Sequence, residues 1–320
     1  MIVANSYCRS FRFLEKATSR RLRTPLILLI SIFLPISNAN SDQLIEMRES
    51  KYNNIYVYQK GEYISMTFGH NRRIFVESVY NPQNEKELPV IYTRYMTVAI
   101  VYAKALESIL QIGLGGGRTS WYTHKHLPNT LVTAVEIDPE VISLAKKYFG
   151  IKEEKTFHIV ARDGRLYLAR NQDQYDIIFI DAYRGPFVPF HLLTKEFYHI
   201  VKTRLKPGGV VVQNIEPSTM LFDSAVVTIR AVFSSLDLFE AGGNIVAIAY
   251  DGSAYSTEEL VNTAKNLQKR YRFLYSLPDM IRERRALTIL PPVGPLTDDF
   301  APVEYLKSIE KHNRKWTNDQ

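Results

Sequence analysis

The sequence predicts the α/β fold class, with a small N-terminal antiparallel β-domain followed by a sheet of parallel strands and crossover helices. Strands and helices alternate from Ile109 onward, which is the pattern of a parallel sheet. The apolar strand 109–112 enters a glycine-rich turn at residues 113–117, and about twenty residues later a second strand ends at Glu136. Glycines let the backbone pass close to a ligand, and an acid at that strand end can accept hydrogen bonds from ribose hydroxyls. The main sheet is therefore predicted to be Rossmann-like and to bind a nucleotide.

Residues 1–39 have the pattern of a secretory signal peptide or a membrane anchor. A basic stretch ending at Arg23 precedes the apolar run 25–34, and Ser37-Asn38-Ala39 has the small residues of a cleavage site. The apolar run is shorter than the roughly 20 residues that a membrane-spanning helix needs. Cleavage after Ala39 would make the protein periplasmic or secreted. An uncleaved segment would associate it with a membrane, and a misassigned start would leave it cytoplasmic.

The net charge of +7 is concentrated in this first segment. The first 39 residues hold six basic side chains and one acid, so five of the seven net charges lie there. The rest of the chain is nearly neutral, which argues against nucleic acid as a partner. The single cysteine, Cys8, also lies in this segment. The mature chain would therefore contain no disulfide, thiolate nucleophile or cysteine-bound zinc.

Residues 40–90 are predicted to form the small β-domain. Segments rich in β-branched and aromatic residues are separated by turn signals at Lys60-Gly61 and Gly69-His70-Asn71, which indicates about three antiparallel strands. Residues 81–87 read as a polar linker, and the apolar spacing over 92–106 predicts a helix.

Residues 91–290 are predicted to form the main domain, and residues 291–320 a C-terminal tail. The sequence Lys206-Pro207-Gly208-Gly209 predicts a break before the fifth parallel strand. The predicted parallel strands are 109–112, 131–137, 157–160, 176–180 and 210–214, later strand material is predicted near 244–250, and the predicted helices include 139–149, 194–205, 220–233 and 257–271.

Loops at the carboxyl ends of four consecutive strands carry the candidate site, because doubly wound sheets bind ligands at that edge. The glycines read G-x-G-G-G rather than G-x-G-x-x-G, and Asp163-Gly164 follows the third strand, where an acid suits an adenine amino group. This combination favours an S-adenosyl compound over NAD as the ligand. It also predicts that the sheet is of the S-adenosylmethionine-dependent methyltransferase type. The predicted cofactor-binding residues are Gly113, Gly115, Gly117, Glu136, Ile137, Asp163 and Gly164.

Several segments in series resemble the spermidine synthase (polyamine aminopropyltransferase) family. They are residues 135–141, 163–165, 175–182 and 205–209, and the resemblance extends over roughly residues 48–250. The strands that begin near Ser50 look like the N-terminal β-domain of that family. Residues 189–192 and 296–304 are more similar to a divergent bacterial branch of spermidine-synthase-like proteins.

The resemblance implies a transferase that moves an aminopropyl group from decarboxylated S-adenosylmethionine to a polyamine acceptor, without a metal. Glu136 would hold the ribose, and Asp163-Gly164 the adenine. Asp181 stands where the family has its catalytic base, and Tyr183, the second predicted catalytic residue, would line a gate loop over residues 183–189. The resemblance also implies a homo-oligomer formed through the β-domain.

Three positions depart from the family pattern. The acid that holds the donor amine is replaced by Gly116, a second acceptor-binding acid is replaced by Arg184, and a Tyr-x-Glu segment reads Tyr92-Thr93-Arg94. An Arg184 pointing inward would disfavour an acceptor ammonium by on the order of 4 kcal/mol, whereas an Arg184 pointing to solvent would only remove an attraction. Asp298 and Asp299 either supply replacement charge or anchor the C-terminal segment.

Two other functions stay open on the sequence. A methyltransferase of the same fold would use S-adenosylmethionine itself, with Arg118 or Arg184 paired to the donor carboxylate. An exported binding protein that kept the fold and lost the reaction would fit the signal segment, because S-adenosyl donors are made and used in the cytosol. His191 is either functional or a packing residue, and His124 and His126 lack a third ligand at metal-site spacing.

Overall fold

The computed structural model describes residues 42–70, 73–185, 187–287 and 289–299, with backbone alone at residues 70 and 73–75. The predicted signal peptide or anchor, residues 1–39, and most of the predicted tail lie outside these residues. Within the described ranges, no helix is both long and apolar enough to span a bilayer.

The N-terminal sheet has four antiparallel strands in the order β1-β2-β3-β4. They are β1 (Gln43–Glu49), β2 (Asn54–Lys60), β3 (Tyr63–His70) and β4 (Arg73–Tyr80). The prediction of about three strands was wrong by one, because most side chains of β1 are exposed and lack the apolar alternation that marks a strand.

The main sheet has eight strands in the order β12-β10-β11-β9-β8-β5-β6-β7. The five strands from β5 to β9 pair in parallel. Strand β10 pairs antiparallel with β11 and β12, and β11 pairs antiparallel with β9. The predicted α/β class is thereby confirmed. The strands are β5 (Ser108–Ile112), β6 (Leu131–Glu136), β7 (Phe157–Ala161), β8 (Tyr175–Ile180), β9 (Leu205–Ile215), β10 (Ser235–Ala241), β11 (Asn244–Tyr250) and β12 (Arg285–Ala286).

Two apolar clusters cover the main sheet, one with Trp121 and Phe157 and the other with Phe197 and Ile229. A third cluster joins the small sheet to this body, since Ile55 and Met66 pack against Leu144 and Phe149. The helices are α1 (Ile91–Met96), α2 (Arg118–His126), α3 (Pro139–Tyr148), α4 (Gly164–Arg170), α5 (Lys195–Thr203), α6 (Phe222–Val232), α7 (Thr257–Tyr271) and α8 (Leu277–Arg282).

Three predictions about this sheet need correction. The helix expected over 92–106 is α1 followed by a 3-10 turn at Thr97–Val101, after which the chain becomes irregular. The break expected at 206–209 lies inside the continuous strand β9, because a shift in the β8–β9 register and the positive φ of Gly208 (80°) absorb it. Strand β10 was missed, and it forms a hairpin with β11 through the positive-φ pair Gly242-Gly243.

The site is positioned by the reversal of strand order at β5. This strand pairs with β6 on one side and with β8 on the other, so the loops after β5 and β8 diverge to opposite faces of the sheet. A crevice opens at such a switch point, outside the carboxyl ends of the strands. The glycine-rich turn after β5 and Asp181 after β8 both lie there.

Candidate functional site

A single cavity of about 450 Å³ gathers most of the predicted site residues. The small sheet closes one side of the cavity with Phe68, Glu77 and Ser78. Of the predicted residues, those that line the cavity are Gly113, Gly115, Glu136, Ile137, Asp163, Gly164, Asp181 and Tyr183.

Gly117 lies outside this lining and begins α2 in the left-handed conformation, with φ of 69°. The described residues contain no group of three or more His, Cys, Asp or Glu side chains placed to hold a metal ion.

Gly113 makes the close approach between the glycine-rich turn and the fourth loop. Its φ is +83°, and a Cβ added there would lie 2.2 Å from the carbonyl oxygen of Asp181. The Asp181 amide also donates a hydrogen bond of 2.8 Å to the Ile112 carbonyl. A residue with a side chain at position 113 would push these two loops apart, so glycine sets the width of the crevice.

Glu136 is buried at the end of β6 and ties the glycine-rich turn to that strand. Its Oε2 accepts a hydrogen bond of 2.8 Å from the Leu114 amide, and its Oε1 accepts one of 3.0 Å from the Asp138 amide. Burial raises the pKa of Glu136, and these backbone donors oppose the rise. Each carboxylate oxygen keeps acceptor capacity, so the group can still bind ligand hydroxyls.

Asp163 caps α4 and contacts His191. Its Oδ1 accepts a hydrogen bond of 2.8 Å from the Leu166 amide, and its Oδ2 lies 3.1 Å from Nε2 of His191. The His191 hydrogen bond is the main cause of a lowered pKa at Asp163. His191 therefore joins the cavity wall through Asp163, although its side chain is exposed.

Asp181 is the candidate base, and two side chains hold its carboxylate. Asn214 donates from Nδ2 to Oδ1 at 3.0 Å, and the Tyr92 hydroxyl donates to Oδ2 at 3.3 Å. Burial raises the pKa of Asp181 to about 6, while both hydrogen bonds favour the ionised form and limit the rise. A carboxylate with such a pKa is largely ionised at neutral pH and can still accept a proton.

Tyr183 follows Asp181 and faces the same cavity. Its hydroxyl donates to the Asn214 carbonyl at 3.0 Å, and burial followed by the charge of Asp181 raises its pKa well above the usual range. Arg184 is exposed, and its amide donates to the Phe187 carbonyl at 2.8 Å in a backbone bridge.

Glu77 is a cavity carboxylate that the sequence reasoning missed. It lies on β4, where Ser78 pairs with Met66 and Val76 pairs with Thr67, so Glu77 is the extra residue of a β-bulge. Bulges change the direction of a side chain, and here Glu77 lines the cavity. Its Oε1 is buried and has no hydrogen-bond partner among the described residues. The sequence contained one signal, an acid inside a strand rich in β-branched and aromatic residues.

Position 116 has no room for a side chain. A Cβ on Gly116 would lie 2.5 Å from Cδ1 of Phe149 and 2.8 Å from Cβ of Ser78. The Gly116 amide donates a hydrogen bond of 2.8 Å to the Ser78 hydroxyl. The small sheet therefore packs directly against the glycine-rich turn, beside the bulge at Glu77.

Arg118 is engaged in the protein interior. Its Nη1 donates to the Phe149 carbonyl at 2.8 Å, its Nη2 donates to the Glu85 carbonyl, and its guanidinium lies 4.4 Å from the centre of the Tyr80 ring. Burial lowers the pKa of Arg118 to about 10. Only Nε is left without a partner among the described residues.

Two other predicted groups have structural partners. Asp298 forms a bidentate ion pair with Arg165, so it anchors the C-terminal segment. His124 contacts Glu154 at 3.0 Å, and His126 contacts the Tyr271 carbonyl at 3.2 Å.

Comparison with known proteins agrees with this architecture. The profile of the spermine/spermidine synthase domain matches residues 90–240. A polyamine aminopropyltransferase of Vibrio vulnificus is 28% identical over 297 residues, which cover 88% of this chain and 96% of the relative. One from Chromobacterium violaceum is 30% identical over 202 residues, which cover 61% of this chain and 77% of the relative.

Solved structures show the same fold. The spermidine synthase of Thermotoga maritima superposes with a TM-score of 0.59 at 20% identity, covering 78% of this chain and 85% of that one. Human methyltransferase-like protein 13 in complex with SAH superposes with a TM-score of 0.53 at 26% identity, covering 59% of this chain and 98% of that one. The fold is thus shared by aminopropyl- and methyltransferases.

Proposed function

Because the chain belongs to the spermine/spermidine synthase family, we propose that it transfers an aminopropyl group from decarboxylated S-adenosylmethionine to an amine of a polyamine acceptor. One observation carries this choice of substrates. Four carboxylates, those of Glu77, Glu136, Asp163 and Asp181, line a single cavity. Two arginines, Arg118 and Arg184, also line the cavity, but both Nη atoms of Arg118 are bonded to backbone carbonyls and Arg184 is exposed. Both proposed substrates are cations without a carboxylate, so the excess of acidic groups in the cavity favours them.

The proposed binding mode follows the strand ends. Glu136 accepts hydrogen bonds from the ribose hydroxyls, and Asp163-Gly164 faces the adenine. The reacting methylene then lies near Asp181, across the crevice whose width Gly113 sets. Tyr92 and Asn214 hold the Asp181 carboxylate toward that space.

The proposed reaction is a direct displacement at carbon. The lone pair of a neutral acceptor amine attacks the methylene beside the sulfonium, the carbon–sulfur bond breaks, and its electron pair stays on sulfur. The products are methylthioadenosine and a polyamine longer by one aminopropyl unit. The proton lost by the attacking nitrogen goes to Asp181, which is ionised at neutral pH. Since a sulfonium is already a good leaving group, the protein contributes mainly positioning and proton removal.

The test is acceptor-dependent release of methylthioadenosine. The full chain is incubated with decarboxylated S-adenosylmethionine and, separately, putrescine, cadaverine, agmatine or spermidine, and both products are measured by mass spectrometry. We expect release with at least one acceptor, and a loss of about 10²-fold or more in Asp181→Asn. Glu62→Gln, an exposed acid in the turn between β2 and β3, is the matched control. Binding of the donor without release for any acceptor would contradict the proposal.

Methyl transfer is the second candidate, favoured by the 26% identity to human methyltransferase-like protein 13. That reaction needs a donor that carries a carboxylate, and the two Nη atoms of Arg118 are already engaged. Calorimetry with both donors separates the candidates. Tighter binding of S-adenosylmethionine than of its decarboxylated form would support methyl transfer over aminopropyl transfer.

A further inference from the structure

The carboxylate of Glu77 is placed in the cavity without a counter-ion. Its Oε1 is buried with no hydrogen-bond partner, and no ion pair of Glu77 occurs within the part of the chain that the structure describes. Burying a carboxylate in this way is unfavourable unless a cation or a set of donors satisfies it. An unsatisfied carboxylate at a ligand cavity therefore indicates a cationic group on the ligand.

Two of the described groups around Glu77 are acids, and none of those groups is a cation. Burial, then the charges of Asp181 and Glu136, raise the pKa of Glu77 well above its usual range. The phenols of Tyr92 and Tyr183 also lie within electrostatic reach of Glu77. These neighbours disfavour the ionised form of Glu77, and a positively charged group of the substrate would favour it, so the position suits a cationic partner.

The backbone at Glu77 is held firmly in place. Its neighbour Ser78 accepts a hydrogen bond of 2.8 Å from the Gly116 amide, which fixes β4 against the glycine-rich turn. The β-bulge turns Glu77 toward the cavity, where its carboxyl group interacts electrostatically with those of Glu136 and Asp181. These are the ends of the cavity that we assign to the ribose and to the reacting carbon.

We propose that Glu77 binds the primary ammonium of the aminopropyl donor and so selects the decarboxylated donor. This inference rests on the proposed function and adds a residue that fixes donor specificity. With the ribose at Glu136 and the reacting carbon near Asp181, the three-carbon chain of the donor brings its ammonium toward β4. A donor that keeps its carboxylate would bring a second negative charge toward Glu77 and would bind more weakly.

The experiment measures the affinities of three nucleosides by calorimetry for the full chain and for Glu77→Gln. Methylthioadenosine is neutral, 5′-deoxy-5′-dimethylsulfonioadenosine carries only the sulfonium, and decarboxylated S-adenosylmethionine carries the sulfonium and the ammonium. We expect Glu77→Gln to weaken the last ligand by about tenfold or more and the first two by less than about twofold. Glu77→Asp keeps the charge and should recover part of the loss, whereas Glu62→Gln should change none of the three affinities.

Several results would overturn the assignment. An equal loss for the dimethylsulfonium ligand would place Glu77 at the sulfonium, and an effect confined to the KM of the polyamine would place it at the acceptor. Equal losses for all three ligands would indicate a structural role, which the melting temperature of Glu77→Gln would also report. If the unmodified chain binds none of the three, the proposed function itself fails, so that failure is distinct from a failure of Glu77 alone.

Discussion

The side-chain amide of Asn214 donates a hydrogen bond of 3.0 Å to Oδ1 of Asp181 from the neighbouring parallel strand. Asn244 fixes the orientation of that amide, because its Nδ2 donates to Oδ1 of Asn214 at 2.8 Å. Asn214 therefore presents a donor, and not an acceptor, to the carboxylate. This contact favours the ionised form of Asp181 and makes Asn214 a positioning residue for the candidate base.

Replacing Asn214 should move the pH dependence of the reaction. Asn214→Ala removes a donor to ionised Asp181, so the pKa of that carboxyl should rise from about 6 by about one unit. The rising limb of kcat/KM against pH should shift upward by the same amount, with activity largely recovered at high pH. The control is Asn129→Ala, at an exposed position. A uniform loss of activity at every pH would point to a structural role instead.

The raised pKa of Asp181 should also appear in the stability of the protein. Because the folded-state pKa, about 6, lies above the ordinary value of 3.8, the folded protein binds this proton more tightly than the unfolded chain does. The stabilisation of the folded state by this tighter proton binding is therefore fully present below about pH 3.8, and it is lost as the pH rises through about 6.

Asp181→Asn removes this dependence. The variant should unfold with a free energy higher than that of the unmodified chain at pH 8, by on the order of 1 to 2 kcal/mol after allowance for partial exposure of the group. The difference should vanish near pH 4. Urea unfolding at both values, with Asp173→Asn at an exposed loop as control, provides the measurement. An equal increase in the free energy of unfolding at both pH values would show that the titration of Asp181 is not the cause of the increase.

Gly113→Ala should disrupt the crevice. The new Cβ would lie 2.2 Å from the Asp181 carbonyl oxygen and would occupy a residue with φ of +83°. We expect a destabilisation above about 2 kcal/mol and a loss of nucleoside binding.

Gly61→Ala is the matched control for this prediction. Gly61 also has a positive φ (+56°), but nothing lies within 4 Å of an added Cβ, so that variant should cost about 1 kcal/mol and keep binding. Equal effects of the two substitutions would show that backbone strain alone, and not the approach to Asp181, determines the loss. Thermal unfolding and calorimetry with methylthioadenosine report both quantities.

Arg118→Met should act through stability. It leaves the carbonyls of Phe149 and Glu85 without their donor, so the free energy of unfolding should fall by about 2 kcal/mol or more. The ratio of affinities for S-adenosylmethionine and its decarboxylated form should stay within about twofold, because Arg118 is not assigned to the donor carboxylate. A selective loss for S-adenosylmethionine would instead favour the methyltransferase alternative.

The alternation of strands and helices, the glycine-rich turn and the acids at strand ends could all be read from the sequence. Each depends on local patterns: apolar runs, a cluster of glycines, and a polar residue just beyond a buried strand. Since parallel strands share one carboxyl edge, Glu136, Asp163 and Asp181 could be predicted to converge. Asn214 carried the same signal, because it lies near the carboxyl end of β9, but its partner could not be named from sequence.

The tertiary structure determined that Glu77 lines the cavity and that the guanidinium of Arg118 is bonded to backbone carbonyls. The bulge at Glu77 arises from the register between β3 and β4, and its contact with the cavity depends on packing of the small sheet against Gly116. From the sequence, Arg118 was a candidate to bind a ligand carboxylate, but in the folded chain it donates to the carbonyls of Phe149 and Glu85. The sequence by itself determined which strand ends carry the candidate site residues, because that depends on local periodicity. Which charged side chains line the cavity depended on strand pairing and packing between residues far apart in the sequence, and no local pattern encodes these contacts.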